Sequence, residues 1–194
     1  MDSVLDLYIL AKLDQGLRTP YDLQRVAGLS LGSTVPALRR LSLRKLVMKS
    51  EGQTSTKRPR HSYQVTAEGK AKARDGWKEH FKDGKAPVDV DAVLRVVDMA
   101  QQYGAKKQKL IAYLRSVAKD RLSLASDLAS RAKPGPEPFA YRSTKLVIEV
   151  RRLEAESEAL KGIAETAERH RRRPDNKIKT YPGQLHLDLP RRGP

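Results

Sequence analysis

The stretch that most constrains what this chain can fold into is residues 30–47, SLGSTVPALRRLSLRKLV. Leu31, Leu38, Leu41 and Leu46 recur at helical spacing, which predicts a short helix with one apolar edge. Ser33, Thr34, Ala37, Arg40 and Arg44 are expected on the opposite edge, with Arg39 beside them. Small residues at a helix start permit close approach to another surface. Arginines behind them reach phosphates or guanine edges, so the pattern suits a helix laid in a DNA groove. Pro36 has no N–H and would cost about 3 kcal/mol in a helix interior. A cap at Ser33 places Pro36 in the first turn, where its N–H would be unpaired in any case; a cap at Ser30 makes it an internal defect. The expectation is a first turn near Gly32 and Ser33.

The flanking residues give this helix a setting. Residues 3–14 read as a helix capped by Ser3, with Val4, Leu5, Tyr8, Ile9 and Leu13 on one face and Gly16 as its stop. Thr19 and Pro20 open a second helix, with Tyr21, Leu23, Val26 and Ala27 inside and Gly28 at its end. Two short helices across a Gly-containing turn, the second one basic, form the helix-turn-helix pattern. Residues 46–51 and 61–66 then alternate as strands, joined by the polar run GQTSTKRP, which makes a hairpin. Lys57, Arg58 and Arg60 sit at or beside its tip, where a wing would touch DNA backbone or minor groove.

The remainder is helical. Thr66 caps a helix over about 66–82 that places Trp77 and Phe81 on one face, where they seal the domain or its junction, or else form a ligand-stacking surface. The run Asp83-Gly84-Lys85-Ala86-Pro87 marks a boundary. Beyond it, residues 89–103 and 106–131 are amphipathic, the second through Leu110, Leu114, Val117, Leu124 and Leu128. The proline-rich run 133–138 is a stiff connector. Residues 141–170 carry the chain's clearest period: Leu146, Val150, Leu153, Ser157, Leu160, Ala164 and Ala167 alternate by four and three, the seam of a coiled coil. Such a stripe must be covered by another helix, from the same chain or from a second copy. The division expected is therefore 1–85 as a winged helix-turn-helix DNA-binding domain, 86–170 as a helical dimerisation domain and 171–194 as a basic tail. The fold class is mainly α with a small β hairpin, extended by long C-terminal helices.

Composition narrows the partner. The net charge is +16, with 17 basic against 9 acidic residues over 1–85 and 8 against 2 over 169–194, while 86–168 is nearly balanced at 14 against 12. A polyanion fits the two ends. There is no cysteine, and His61, His80, His170 and His186 lack metal-ligand spacing. Neither a phosphate-binding glycine loop nor a nucleophile elbow is present, so neither an enzyme nor a cofactor or metal site is expected. No apolar run approaches the ~20 residues needed to span a bilayer, and the N-terminus lacks a basic leader. The expected location is the cytoplasm, on the nucleoid.

Residues 10–81 resemble the N-terminal domain of PadR-like transcriptional regulators. The resemblance rests on ILAKL with Gly16-Leu17, on Thr19-Pro20-Tyr21-Asp22-Leu23, on LSLGSTVPALRRL over 29–41, on Leu46-Val47 and on Tyr63-Gln64-Val65-Thr66-Ala67-Glu68-Gly69. That family usually has a tyrosine before the proline, where this chain has Val35, and a glycine before the Leu-Val strand, where it has Lys45. The resemblance implies a homodimeric repressor on a palindromic operator, with a small aromatic effector as a further partner. The DNA-binding residues expected are Ser33, Thr34, Arg39, Arg40, Arg44, Lys57, Arg58 and Arg60. Dimerisation is assigned to Leu110, Leu114, Val117, Leu146, Val150, Leu153 and Leu160. The same residues also allow a winged-helix module for protein–protein contact, or an unspecific nucleic-acid binder driven by the tail.

Overall fold

A computed structural model of the chain describes residues 3–52, 60–82, 85–131 and 141–169. Among the described residues, seven helices and one antiparallel hairpin follow in order: α1 (Val4–Asp14), α2 (Pro20–Ala27), α3 (Leu31–Leu43), β1 (Val47–Gly52), β2 (Arg60–Val65), α4 (Ala67–Gly76), α5 (Val90–Gln102), α6 (Lys107–Arg131) and α7 (Tyr141–Arg169). A 3₁₀ turn over Trp77–Phe81 extends α4. The fold is mainly α with a small β hairpin and long C-terminal helices, the arrangement of a winged helix-turn-helix domain with a helical extension.

The core is built around α1. Asp6 through Leu13 are all buried, so this helix has no solvent stripe and packs against α3, α4, α5 and β2. Ser3 occupies its N-cap position without a side-chain cap bond, so its backbone alone starts the helix. The start of α2 is better fixed. Thr19 Oγ1 accepts from Asp22 N (3.1 Å), and the Asp22 carboxylate accepts from Thr19 N (2.9 Å), a reciprocal box with Pro20 at the first position. The hairpin pairs Val47 with Val65 and Lys49 with Tyr63, which turns Val47 and Tyr63 into the core. Tyr63 N donates to Arg18 O (2.8 Å), fastening β2 to the α1–α2 turn.

The core runs on across the 85–86 division. Val93, Val96 and Met99 of α5 belong to the same apolar cluster as α1. Tyr8 OH donates to Asp98 (2.9 Å), Lys12 pairs with Asp98 (2.8 Å), and Gln102 Nε2 donates to Ala11 O (2.9 Å). Burial, helped by the Asp98 carboxylate, raises the Tyr8 phenol above its ordinary pKa, so it remains a donor. Trp77 meets Phe81 edge-on at 5.2 Å, and Phe81 stacks on Tyr113 of α6 at 4.1 Å. These rings seal the junction between the winged part and α6.

The α7 seam is covered by α6 of the same chain. Leu153, Ser157, Leu160 and Ala164 are buried, as are Leu110, Leu114, Val117, Ala118, Arg121 and Ala125. Arg115–Glu168 (2.6 Å) and Arg121–Glu156 (3.4 Å) show the two helices running antiparallel. Ser157, the one polar residue in the seam, donates to Ala118 O (2.7 Å), so its burial leaves no orphan hydroxyl. The inner stripe of α6 differs from the expected one beyond Val117. It continues through Arg121 and Ala125, while Leu124 is exposed.

Lys45 takes the left-handed conformation at φ 58° just after α3. Lys45 N donates to Ser42 O and Leu46 N to Leu41 O, both at 3.0 Å, which closes the helix end and aims the chain into β1. A side chain in this conformation costs about 1 kcal/mol relative to glycine. Glycine also loses more freedom on folding, which offsets part of the gain. Lys45→Gly is expected to raise the midpoint of urea unfolding slightly, by less than about 1 kcal/mol in stability, without changing the fold.

Candidate nucleic-acid interface

The candidate surface is the outer side of α3. Ser30 caps the helix: its Oγ accepts from Ser33 N (3.2 Å), and its carbonyl accepts from Thr34 N (3.0 Å) and Thr34 Oγ1 (2.7 Å). The expected start at Ser33 is therefore three residues late. Pro36 lies inside the helix, where it cannot donate to the carbonyl of Gly32. Gly32 is exposed, so water can serve that carbonyl and the defect is tolerated.

The earlier start comes with a different helix phase. Thr34, Ala37, Leu38 and Leu41 are all fully buried and form the inner stripe against α1 and α2. Thr34 was expected to face a groove; its small side chain and backbone-bonded hydroxyl let it enter the core instead. The solvent stripe carries Gly32, Val35, Pro36, Arg39 and Leu43. Only Arg39 among the expected DNA-contacting residues stands in the middle of it, and it forms no ion pair with the described residues.

Arg40 and Arg44 flank this stripe and share a partner. Arg40 Nη2 donates to Asp6 Oδ1 (2.7 Å), and Arg44 Nη1 lies 3.9 Å from Asp6 Oδ2. Asp6 is buried, and two guanidinium groups compensate its charge while keeping much of their own surface in water. One carboxylate of α1 thus holds Arg40 through a charged hydrogen bond and lies within ion-pair range of Arg44, both along one edge of α3. Ser33 is half-buried, with its hydroxyl within the cap network. Lys57 and Arg58 fall outside the described residues; Arg60 contributes the first residue of β2, paired with Gly52.

The residues that sequence reading missed are Asp6, Val35 and Leu43. Asp6 reads as an ordinary first-turn acid, and its partners lie 34 and 38 positions away. Val35 and Leu43 would have emerged from a helix phased on Thr34, Leu38 and Leu41. Elsewhere, a cleft of about 550 Å³ opens beside the stacked Phe81–Tyr113 pair, lined also by Lys82, Lys109, Ser116 and Asp120. Burial pushes the Tyr113 phenol up to about 12. Among the described residues no group of three or more His, Cys, Asp or Glu could hold a metal ion, and no helix is long and apolar enough to cross a membrane.

The fold and this surface define a winged helix-turn-helix protein with an arginine-bearing third helix. Its shape is similar to that of PadR from Bacillus subtilis, crystallised with operator DNA, at 18% identity and a TM-score of 0.39, over 85% of this chain and 99% of that one. It is also similar to a PadR-like transcriptional regulator from Bacillus cereus, at 15% identity and a TM-score of 0.32, over 86% and 97% of the two chains. No family model matches the sequence, and no curated protein matches it either.

Proposed function

We propose that this chain is a sequence-specific DNA-binding transcriptional regulator, a dimeric repressor acting on a palindromic operator. One observation carries the reading: α3 keeps an uncovered face with Arg39 at its centre and Arg40 and Arg44 along one edge, while its other face is core. A helix with one buried side and one open side edged by arginines, in a segment with 17 basic against 9 acidic residues, is suited to a major groove. The wing residues Lys57, Arg58 and Arg60 would add backbone contacts. The cleft beside Phe81 and Tyr113, lined also by Lys82 and Lys109, is the place this reading assigns to a small aromatic effector.

Pairing of two copies is supported by what the α6–α7 pair leaves uncovered. Leu110, Leu114, Val117, Leu153 and Leu160 are occupied within the chain, and Leu146 and Val150 are half-buried. Leu122 and Leu124 on α6, with Val147 and Ile148 on α7, remain exposed and supply the apolar surface a second copy would bury. Contact between copies thus passes from the seam residues to their neighbours.

Arg39 and the Asp6-held pair should behave differently in binding assays. Arg39→Ala is expected to cost about 1–3 kcal/mol on the preferred duplex and to relax selectivity at one base position. Arg40→Ala should weaken binding to all duplexes alike and flatten the salt dependence, as loss of a phosphate contact does. Fluorescence anisotropy on preferred and scrambled duplexes at two salt concentrations separates these outcomes. Equal losses on both duplexes for Arg39→Ala would remove it from base reading.

A further inference from the structure

The middle of the open α3 face is apolar around its one arginine. Val35 is 50% exposed and Leu43 77% exposed, with Pro36 and Gly32 between and before them. The fold does not require these residues. Val35 and Leu43 take no part in the core, and an added Cβ at Gly32 would meet nothing within 4 Å. Glycine is a poorer helix former than alanine, so at Gly32 stability is forgone where the fold has room for a side chain. Such clearance, followed by a branched apolar side chain and an arginine one turn later, suits a surface that another body approaches closely.

Charge complementarity selects the occupant. Arg39 lies within the stripe, and Arg40 and Arg44 run along its edge, Arg40 held there by Asp6. The partner therefore offers anionic groups flanking a surface with apolar points. A duplex major groove does this: phosphates line its rims, and the C5-methyl of thymine is the one apolar group on its floor. Residues near the start of a recognition helix are those that reach base edges, which places Val35 deeper than Leu43.

We propose that Val35 is a specificity-determining residue that packs on the C5-methyl group of a thymine in each half-site. This rests on the DNA-binding reading above. Arg39 reads or clamps the adjacent step, and Arg40 and Arg44 hold the rim.

The test replaces thymine by deoxyuridine, which lacks only that methyl, one position at a time in the duplex the full chain selects. One position per half-site should weaken binding about fourfold, the worth of one buried methyl group. Val35→Ala, a change at an exposed site, should bind the thymine duplex correspondingly less well and no longer distinguish thymine from deoxyuridine there. Uniform indifference to deoxyuridine in a chain that still selects a sequence would overturn the thymine contact and leave the DNA-binding reading standing. Unchanged discrimination by Val35→Ala would assign the methyl contact to another side chain. A chain that selects no duplex, with the face protected instead by a protein partner, would overturn both.

Discussion

Arg121→Ala is expected to destabilise the chain by about 3 kcal/mol, near the lower end of what removing one partner of a buried ion pair costs. Arg121 is 7% exposed. It pairs with Glu156 of α7 and donates to the carbonyls of Pro87 (2.8 Å) and Val88, in the segment that leads into α5. Truncation leaves those carbonyls and one carboxylate without their cation. Arg152, at 3.7 Å from Glu156, still supplies part of the compensation, which keeps the loss from the upper end of the range. In a chain of this size the midpoint of thermal unfolding should fall by roughly 6–12 °C. Adding Glu156→Gln to Arg121→Ala should cost less than the two single changes together, because the orphaned charge is then removed. A loss below about 1 kcal/mol would mean that solvent reaches Arg121 freely.

Gly69→Ala is expected to be comparably damaging, for a steric reason. A Cβ at Gly69 would stand 2.3 Å from Leu46 O and 2.8 Å from Val65 Cγ2. The first is backbone, and it is already committed: Leu46 O accepts from Thr66 N (3.0 Å) and Thr66 Oγ1 (3.1 Å). Helix propensity favours alanine by about 1 kcal/mol. Moving the root of the hairpin against packed neighbours costs about 3 kcal/mol and decides the sign. Urea unfolding of Gly69→Ala and Gly32→Ala side by side gives the contrast. The first should lose stability, and the second should gain up to about 1 kcal/mol because its site is open. Gain at both positions would show that the hairpin root yields without strain.

Much of the architecture is legible in the residues. Thr19-Pro20-Tyr21-Asp22 states the start of α2, because both halves of its capping box are local. The alternation in 46–51 and 61–66 gives the hairpin, and the four-three period gives α7, since each needs only neighbours in sequence. The failures come where a distant element decides. Ser30 and Ser33 are equally good caps by type; the fit of Thr34 and Ala37 against α1 and α2 fixes the choice and rotates α3. The covering partner of the α7 seam depends on a helix some thirty to sixty positions upstream. Asp6 is the clearest case, a first-turn acid whose role exists only when α1 and α3 cross.

The candidate site was legible in kind and misread in detail. Arginines at 39, 40 and 44 mark a basic helix without any structure. Their division into one central residue and two held at the edge requires the buried carboxylate of α1. The apolar centre around Val35 could not be read because the phase that exposes Val35 and Leu43 is fixed by the burial of Thr34 and Ala37.

The most direct measurement is selection of bound sequences from a pool of random duplex DNA by the purified full chain. The expected result is one enriched motif of two inverted half-sites, about one helical turn or a multiple of it apart, with selectivity relaxed at one position per half-site for Arg39→Ala. An unenriched pool, held at low salt and released evenly as salt rises, would contradict sequence reading by α3 and leave only the chain's positive charge.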